Sequence, residues 1–148
     1  MVSVVLMGGH GRDYQTFRSA TWKDWQQPVI DEYNKLKSLG YKKINLAGSS
    51  TGCPIILDMV SHNKIDASIL QHIFFIDPII VPSNKSLSLI HVVGPMLGYV
   101  KSDMDPGENG FWYKYRPYQA LEQLNDLTKK ERKEVYGKKE HNRQRFLG

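Results

Sequence analysis

One cysteine, Cys53, stands among 148 residues. A lone thiol excludes an intramolecular disulfide and the multi-cysteine zinc sites, and points to a reducing, cytoplasmic setting. Long apolar runs are missing as well: none reaches the ~18 residues that a membrane-spanning helix needs. The opening Met-Val-Ser-Val-Val-Leu-Met has no basic residue ahead of its apolar stretch and meets glycine at position 8, unlike a secretory signal. No two histidines fall at metal-ligand spacing and the acidic residues are dispersed, so neither a metal nor an organic cofactor is implied.

What is present has the balance of a globular chain with a real core, 41% apolar and 24% charged. The formal net charge of +5 is unevenly placed. Residues 1–110 hold equal numbers of acidic and basic side chains, so residues 111–148 carry the whole excess. Such a segment serves either as a contact for nucleic acid or a membrane surface, or as a solvated helix face with a frayed end. The second reading is preferred, and nucleic acid is not the expected partner.

The apolar periodicity reads as alternating strands and helices. Residues 2–7 form a short, nearly continuous apolar run closed by Gly8-Gly9, the pattern of a buried parallel strand. A polar, glycine-rich loop over residues 8–18 follows. From Thr21 the spacing changes: Trp22, Trp25, Val29, Ile30, Tyr33 and Leu36 line one helical face. Thr21 with Asp24 makes a capping-box start, Gly40 a stop, and Pro28 an expected kink. Residues 42–48 read as a second strand, 51–62 as a second helix with Pro54 in its first turn, and 69–76 as a third strand ended by Asp77-Pro78. Beyond Pro82 the regularity weakens into a broken apolar stretch at 87–100, a turn-rich loop, and the aromatic group Phe111, Trp112, Tyr113, Tyr115 and Tyr118. A charged helix over about 117–135 comes next. The expected fold class is α/β, a mostly parallel sheet with flanking helices. Its expected divisions are a core at 1–84, a cap-like helical segment at 85–136, and a polar basic tail at 137–148.

Gly48-Ser49-Ser50-Thr51-Gly52 fits the G-x-S-x-G pattern between a predicted strand and a predicted helix. An abrupt strand-to-helix turn strains the serine backbone and exposes its hydroxyl, and the residues two away on each side must be small where the backbones approach. Ser50 is the expected nucleophile. The Thr51 amide, at the start of the helix, is the expected oxyanion donor. The alternative is a strand-to-helix turn whose serines merely cap the helix.

These residues resemble the middle of the small bacterial carboxylesterases and monoacylglycerol lipases of the α/β-hydrolase superfamily. The likeness covers residues 2–60: the short strand into Gly9-His10-Gly11, then Thr21-Trp22-Lys23-Asp24-Trp25, then residues 33–41, then strand and elbow. It implies a partial α/β-hydrolase fold with a helical cap, and carboxylic ester hydrolysis through an acyl-serine intermediate on a small ester or acylglycerol. In that family the Gly-His-Gly lies after the fourth sheet strand. His10 and Gly11 are therefore read as a turn near the pocket, with an oxyanion role as the lesser reading.

The family's earlier strands and its downstream acid and histidine have no counterpart in residues 1–148. Asp77, at the end of the strand after the elbow helix, is a candidate acid, although an Asp-Pro turn explains it as well. His62 ends the elbow helix facing away, His72 lies within a strand, and only His91 and His141 are free to approach Ser50. Cys53 reads as a buried hydrophobe. The expectation is a carboxylesterase or lipase-like chain, truncated or one piece of a larger assembly. A catalytically inactive remnant is the alternative reading. A half-sheet with open edges also leads one to expect a homo-oligomer or swapped dimer.

Overall fold

A computed structural model describes residues 1–79, 90–101 and 115–146, with side chains through residue 134. The order of elements is α1 (Tyr14–Ser19), α2 (Trp22–Ser38), β1 (Ile44–Ser49), α3 (Gly52–Ser61), β2 (Leu70–Ile76), α4 (Ile90–Leu97), β3 (Tyr99–Lys101), β4 (Tyr115–Pro117) and α5 (Tyr118–Phe146). It is a mixed α/β arrangement in which β1 and β2 form a small parallel pair, with α3 as the crossover between them. A short antiparallel pair, β3 with β4, stands apart from it. The expected boundary at residue 84 and the aromatics Phe111, Trp112 and Tyr113 lie outside the described residues.

Helix α2 starts where its chemistry dictates. The Asp24 amide donates to Thr21 Oγ1 at 3.3 Å and the Thr21 amide donates to Asp24 Oδ2 at 2.8 Å, a closed capping box worth about 1 kcal/mol. Pro28 lies inside the helix without ending it. Its missing N–H leaves the Asp24 carbonyl without its helical donor, and Gly8 packs on that carbonyl: a Cβ at position 8 would stand 2.1 Å from the oxygen. The anomalous proline and the glycine after the first apolar run thus belong to one contact.

The core lies on one side of the parallel pair. Trp25 and Tyr33 from α2, Ile44 from β1, Ile55 and Met59 from α3, and Leu127 from α5 are all buried and packed together. Burying side chains of this size contributes about 1.5–3 kcal/mol each. The end of β2 is bare on both faces: Ile73 and Phe75 on one and Phe74 and Ile76 on the other are all exposed. Both faces of this strand are apolar, as a strand covered on both sides should be.

Three expectations need correction. Residues 2–7 form no strand among the described residues, because a strand requires a neighbouring ladder and β1 does not supply one there. Residues 14–19, read as part of a loop, form the helix α1, capped by Asp13, whose Oδ1 accepts from the Thr16 amide at 2.9 Å. The C-terminal helix does not stop near residue 135 but runs to Phe146. Lys, Glu, Arg and Gln are good helix formers, and the single Gly137 costs about 1 kcal/mol, too little to end it. The broken apolar stretch contains the helix α4 despite Pro95. Gly94 lets that helix close on α5, since a Cβ there would meet the Tyr118 ring at 2.7 Å.

Candidate active site

Parallel strands end together, and both chains here turn sharply at the same edge. The last paired residues are Ser49 and Ile76. Ser50 and Asp77 come directly after them, with φ of 51° and 47°. Neither residue is glycine, so each left-handed turn carries backbone strain of about 1–3 kcal/mol. The Ser50 amide donates to the Ile76 carbonyl at 2.9 Å, and its carbonyl accepts from the Cys53 amide at 3.2 Å. These two bonds tie the turn to the neighbouring strand on one side and to α3 on the other.

The glycines flanking Ser50 are not equivalent. A Cβ at Gly48 would lie 2.8 Å from the Gly52 carbonyl group and 2.8 Å from Ile56 Cδ1, so strand and helix permit nothing larger. A Cβ at Gly52 would meet nothing within 4 Å. The sequence pattern leads one to expect equal crowding; the structure places it at Gly48 alone. Ser50 and Thr51 are half-buried. Thr51 has helical angles, φ −60° and ψ −27°, so its amide and that of Gly52 open α3 ahead of the first i to i−4 bond. Amides in this position hold partial positive charge and can take up a developing oxyanion.

Cys53 is fully buried below the turn, its Sγ donating to the Gly48 carbonyl at 3.1 Å. Burial pushes its thiol above the ordinary value, and the nearby Asp77 charge adds to the rise. A raised thiol is a poor nucleophile. Cys53 is packing.

The described histidines are held elsewhere. The His10 ring lies 4.7 Å from Phe17 and edge-on to Trp25 at 5.3 Å, with Nδ1 3.2 Å from the Gly8 carbonyl. Burial lowers its pKa, more than that carbonyl raises it. Gly11 beside it has φ 64°, and a Cβ there would lie 3.2 Å from Leu6 Cδ1. His62 lies between Asp58 and Glu134 at 3.2 and 3.1 Å, His72 3.2 Å from Asn45, and His91 beside Glu122 and Asp126 on α5. Nothing is described of the His141 side chain. Asp77 is exposed at the strand end, adjacent to the turn at Ser50.

Sequence reasoning missed a second polar cluster. Asp58, on the apolar face of α3, is wholly buried. Its Oδ2 accepts from Lys64 Nζ at 2.6 Å and Gln26 Nε2 at 2.8 Å, and its Oδ1 accepts from Lys130 Nζ. Burial pushes its carboxyl up, but these hydrogen bonds together outweigh burial and hold it at about 2. Glu131, 1% exposed, has the opposite fate: burial first, then the charges of Asp58 and Glu134, raise it to about 7. Asp58, His62 and Glu131 bring donor atoms within 4.8 Å of one another, a spacing that suits a cation. Two ammonium groups already neutralise Asp58 and would repel one, so the cluster reads as a strut joining α2, α3 and α5. The available signal was a charged residue amid Ile55, Ile56 and Met59.

No family model matches, and no curated protein does. Among solved structures, a metagenome-derived lipolytic enzyme superposes with a TM-score of 0.70 at 14% sequence identity, over 82% of this chain and 50% of its own. Over the matched residues the fold resembles that of this enzyme. The chain spans about half the length of that enzyme. No helix among the described residues is long and apolar enough to cross a membrane.

Proposed function

We propose that this chain carries the nucleophile region of a carboxylic ester hydrolase of the lipase or esterase kind, with Ser50 as the acyl-accepting residue. The observation that carries the reading is the strained Ser50, φ 51°, between β1 and α3 at the carboxyl edge of the parallel pair. The likeness of the whole arrangement to a lipolytic enzyme supports it. In the proposed reaction Ser50 Oγ attacks the ester carbonyl carbon and its proton passes to a general base. The Thr51 amide stabilises the oxyanion, the alcohol leaves protonated, and water then releases the acyl group as a carboxylic acid. Asp77 is the acid candidate of the constellation. A small ester or acylglycerol is the proposed substrate class. Val92, Met96 and Leu97 on α4 form an exposed apolar surface suited to the underside of a cap over an acyl chain.

A second reading has its own support. Each described histidine ring is engaged away from Ser50, so an inert scaffold that keeps the turn but lacks a base fits the same fold. A fluorophosphonate probe separates the two. Mass spectrometry should find the phosphonyl adduct on Ser50, and Ser50→Ala should abolish it. A folded wild-type chain that takes up no probe establishes the inert scaffold.

A further inference from the structure

We infer that His91 is an acid-closed clasp: its charged ring pins the amino-terminal half of α4 to α5, and loss of that charge frees this half of the helix. The ring stands between two carboxylates of α5, with Nδ1 3.1 Å from Glu122 Oε1 and Nε2 3.3 Å from Asp126 Oδ1. A neutral imidazole has one N–H and one lone pair. Whichever nitrogen held the lone pair would face a carboxylate oxygen and be repelled. Only the imidazolium presents a hydrogen to both, so the arrangement fits the charged ring.

The neighbours make α4 depend on that charge. Glu122 and Asp126 are four residues apart on one side of α5, where like charges repel. Among the described residues neither pairs with a lysine or arginine, so His91 is their cation. The comparable ring of His62 is less essential, because the Asp58 beside it already accepts from Lys64 and Lys130. Within Ile90–Leu97, His91 is the sole titratable side chain. The element packed against α4 is α5, whose titratable groups there are Glu122, Asp126 and Tyr118, the last lying against Gly94. Tyr99, Lys101, Tyr115 and Arg116 belong to β3 and β4, which follow the opposite end of the helix.

The two ends of α4 are held differently. At the carboxyl end the Tyr118 amide donates to the Gly98 carbonyl at 3.3 Å, and the Gly98 amide donates to the Gly94 carbonyl at 2.8 Å. Neither bond changes with pH. At the amino end the hold is His91 together with the buried Ile90. Gly98, at φ 70° with open space where a Cβ would stand, is the turn about which the helix can tilt. Opening would add Ile90 to the apolar surface of Val92, Met96 and Leu97. An imidazole changes charge between about pH 5 and about pH 8, so that surface grows as the solution turns alkaline. The inference does not depend on any reaction at Ser50.

Hydrogen exchange of the 148-residue chain tests it, read as protection factors so that the intrinsic effect of pH on exchange is removed. The comparison is between wild type and His91→Lys, whose ammonium stays charged from about pH 5.5 to about pH 8.5. Any loss of global stability through Glu131 is common to both chains. Residues 90–97 should lose about fivefold more protection over this range in wild type than in His91→Lys. His91→Gln should show the low protection at both pH values. Equal losses in wild type and His91→Lys overturn the clasp, as does a loss in His91→Gln as large as that of wild type. Absence of protection in residues 90–97 of wild type at about pH 5.5 overturns it as well, since the helix would then never be pinned.

Discussion

The Ser50 amide donates to the Ile76 carbonyl at 2.9 Å, which makes the turn after β1 a continuation of the sheet rather than a loose loop. The strained conformation at φ 51° is therefore enforced by the neighbouring strand. A residue without Cβ would adopt it freely. Ser50→Gly is expected to raise the unfolding free energy by about 1 kcal/mol while removing all reaction with a fluorophosphonate. Chemical denaturation of the variant beside Ser50→Ala measures it; a variant no more stable than Ser50→Ala contradicts stored strain.

The two glycines of the elbow should behave oppositely. Gly48→Ala forces a methyl to 2.8 Å from the Gly52 carbonyl group and should cost about 2 kcal/mol. Gly52→Ala enters open space in the first turn of α3 and should shift stability by less than about 0.5 kcal/mol. Equal losses from both would remove the asymmetry.

Asp58 and Glu131 give the stability a pH dependence of two opposite signs. The Asp58 carboxyl is depressed to about 2, so its contribution is present above about 3.8 and is lost as pH falls through about 2. Glu131 is raised to about 7 from 4.5. Its contribution is full below about 4.5 and is lost as pH rises through about 7. Unfolding free energy should thus fall on the order of 2 kcal/mol between about pH 5 and about pH 8. Glu131→Gln should flatten that slope, whereas Asp58→Asn should cost about 3 kcal/mol by stranding two lysines. Guanidinium titrations across that range report both; an unchanged slope in Glu131→Gln counts against the assignment.

Gly8→Ala tests the contact between the first apolar run and α2. With a Cβ placed 2.1 Å from the Asp24 oxygen, backbone must move, at a cost of about 2 kcal/mol or more. A thermal melt within error of wild type would show that the contact is soft.

The sequence carried the local grammar of this fold. Thr21 with Asp24, the apolar stripe from Trp22 to Leu36, and the turn at Ser50 each declare themselves within a few residues, because capping and periodicity are short-range effects. Residues 2–7 read as a strand for the same reason, but pairing is a long-range property that no local pattern contains. α1 escaped notice because its six residues have a single buried apolar side chain, Phe17. The Asp58 cluster joins residues 26, 58, 64 and 130, whose proximity only the packing of α2, α3 and α5 creates. At the site, the position of Ser50 was legible and the confinement of His62, His72 and His91 was not, since each of these rings is held by residues distant in the chain.

The single crossover through α3 also bears on how the chain acquires its shape. β1, α3 and β2 follow one another directly, so the parallel pair closes over a short stretch of chain, whereas Gln123 on α5 must reach the Trp22 amide across a separation of 101 residues. Closing a short loop loses less chain entropy, which favours an early nucleus around Ile55 and Ile56 with α5 docking later. Kinetic measurements should then give a φ-value above about 0.5 for Ile55→Val and below about 0.3 for Leu127→Ala, and the reverse order would place the nucleus at the carboxyl end. A chain emerging from the ribosome would on this account complete its strand-helix-strand unit while α5 is still being made.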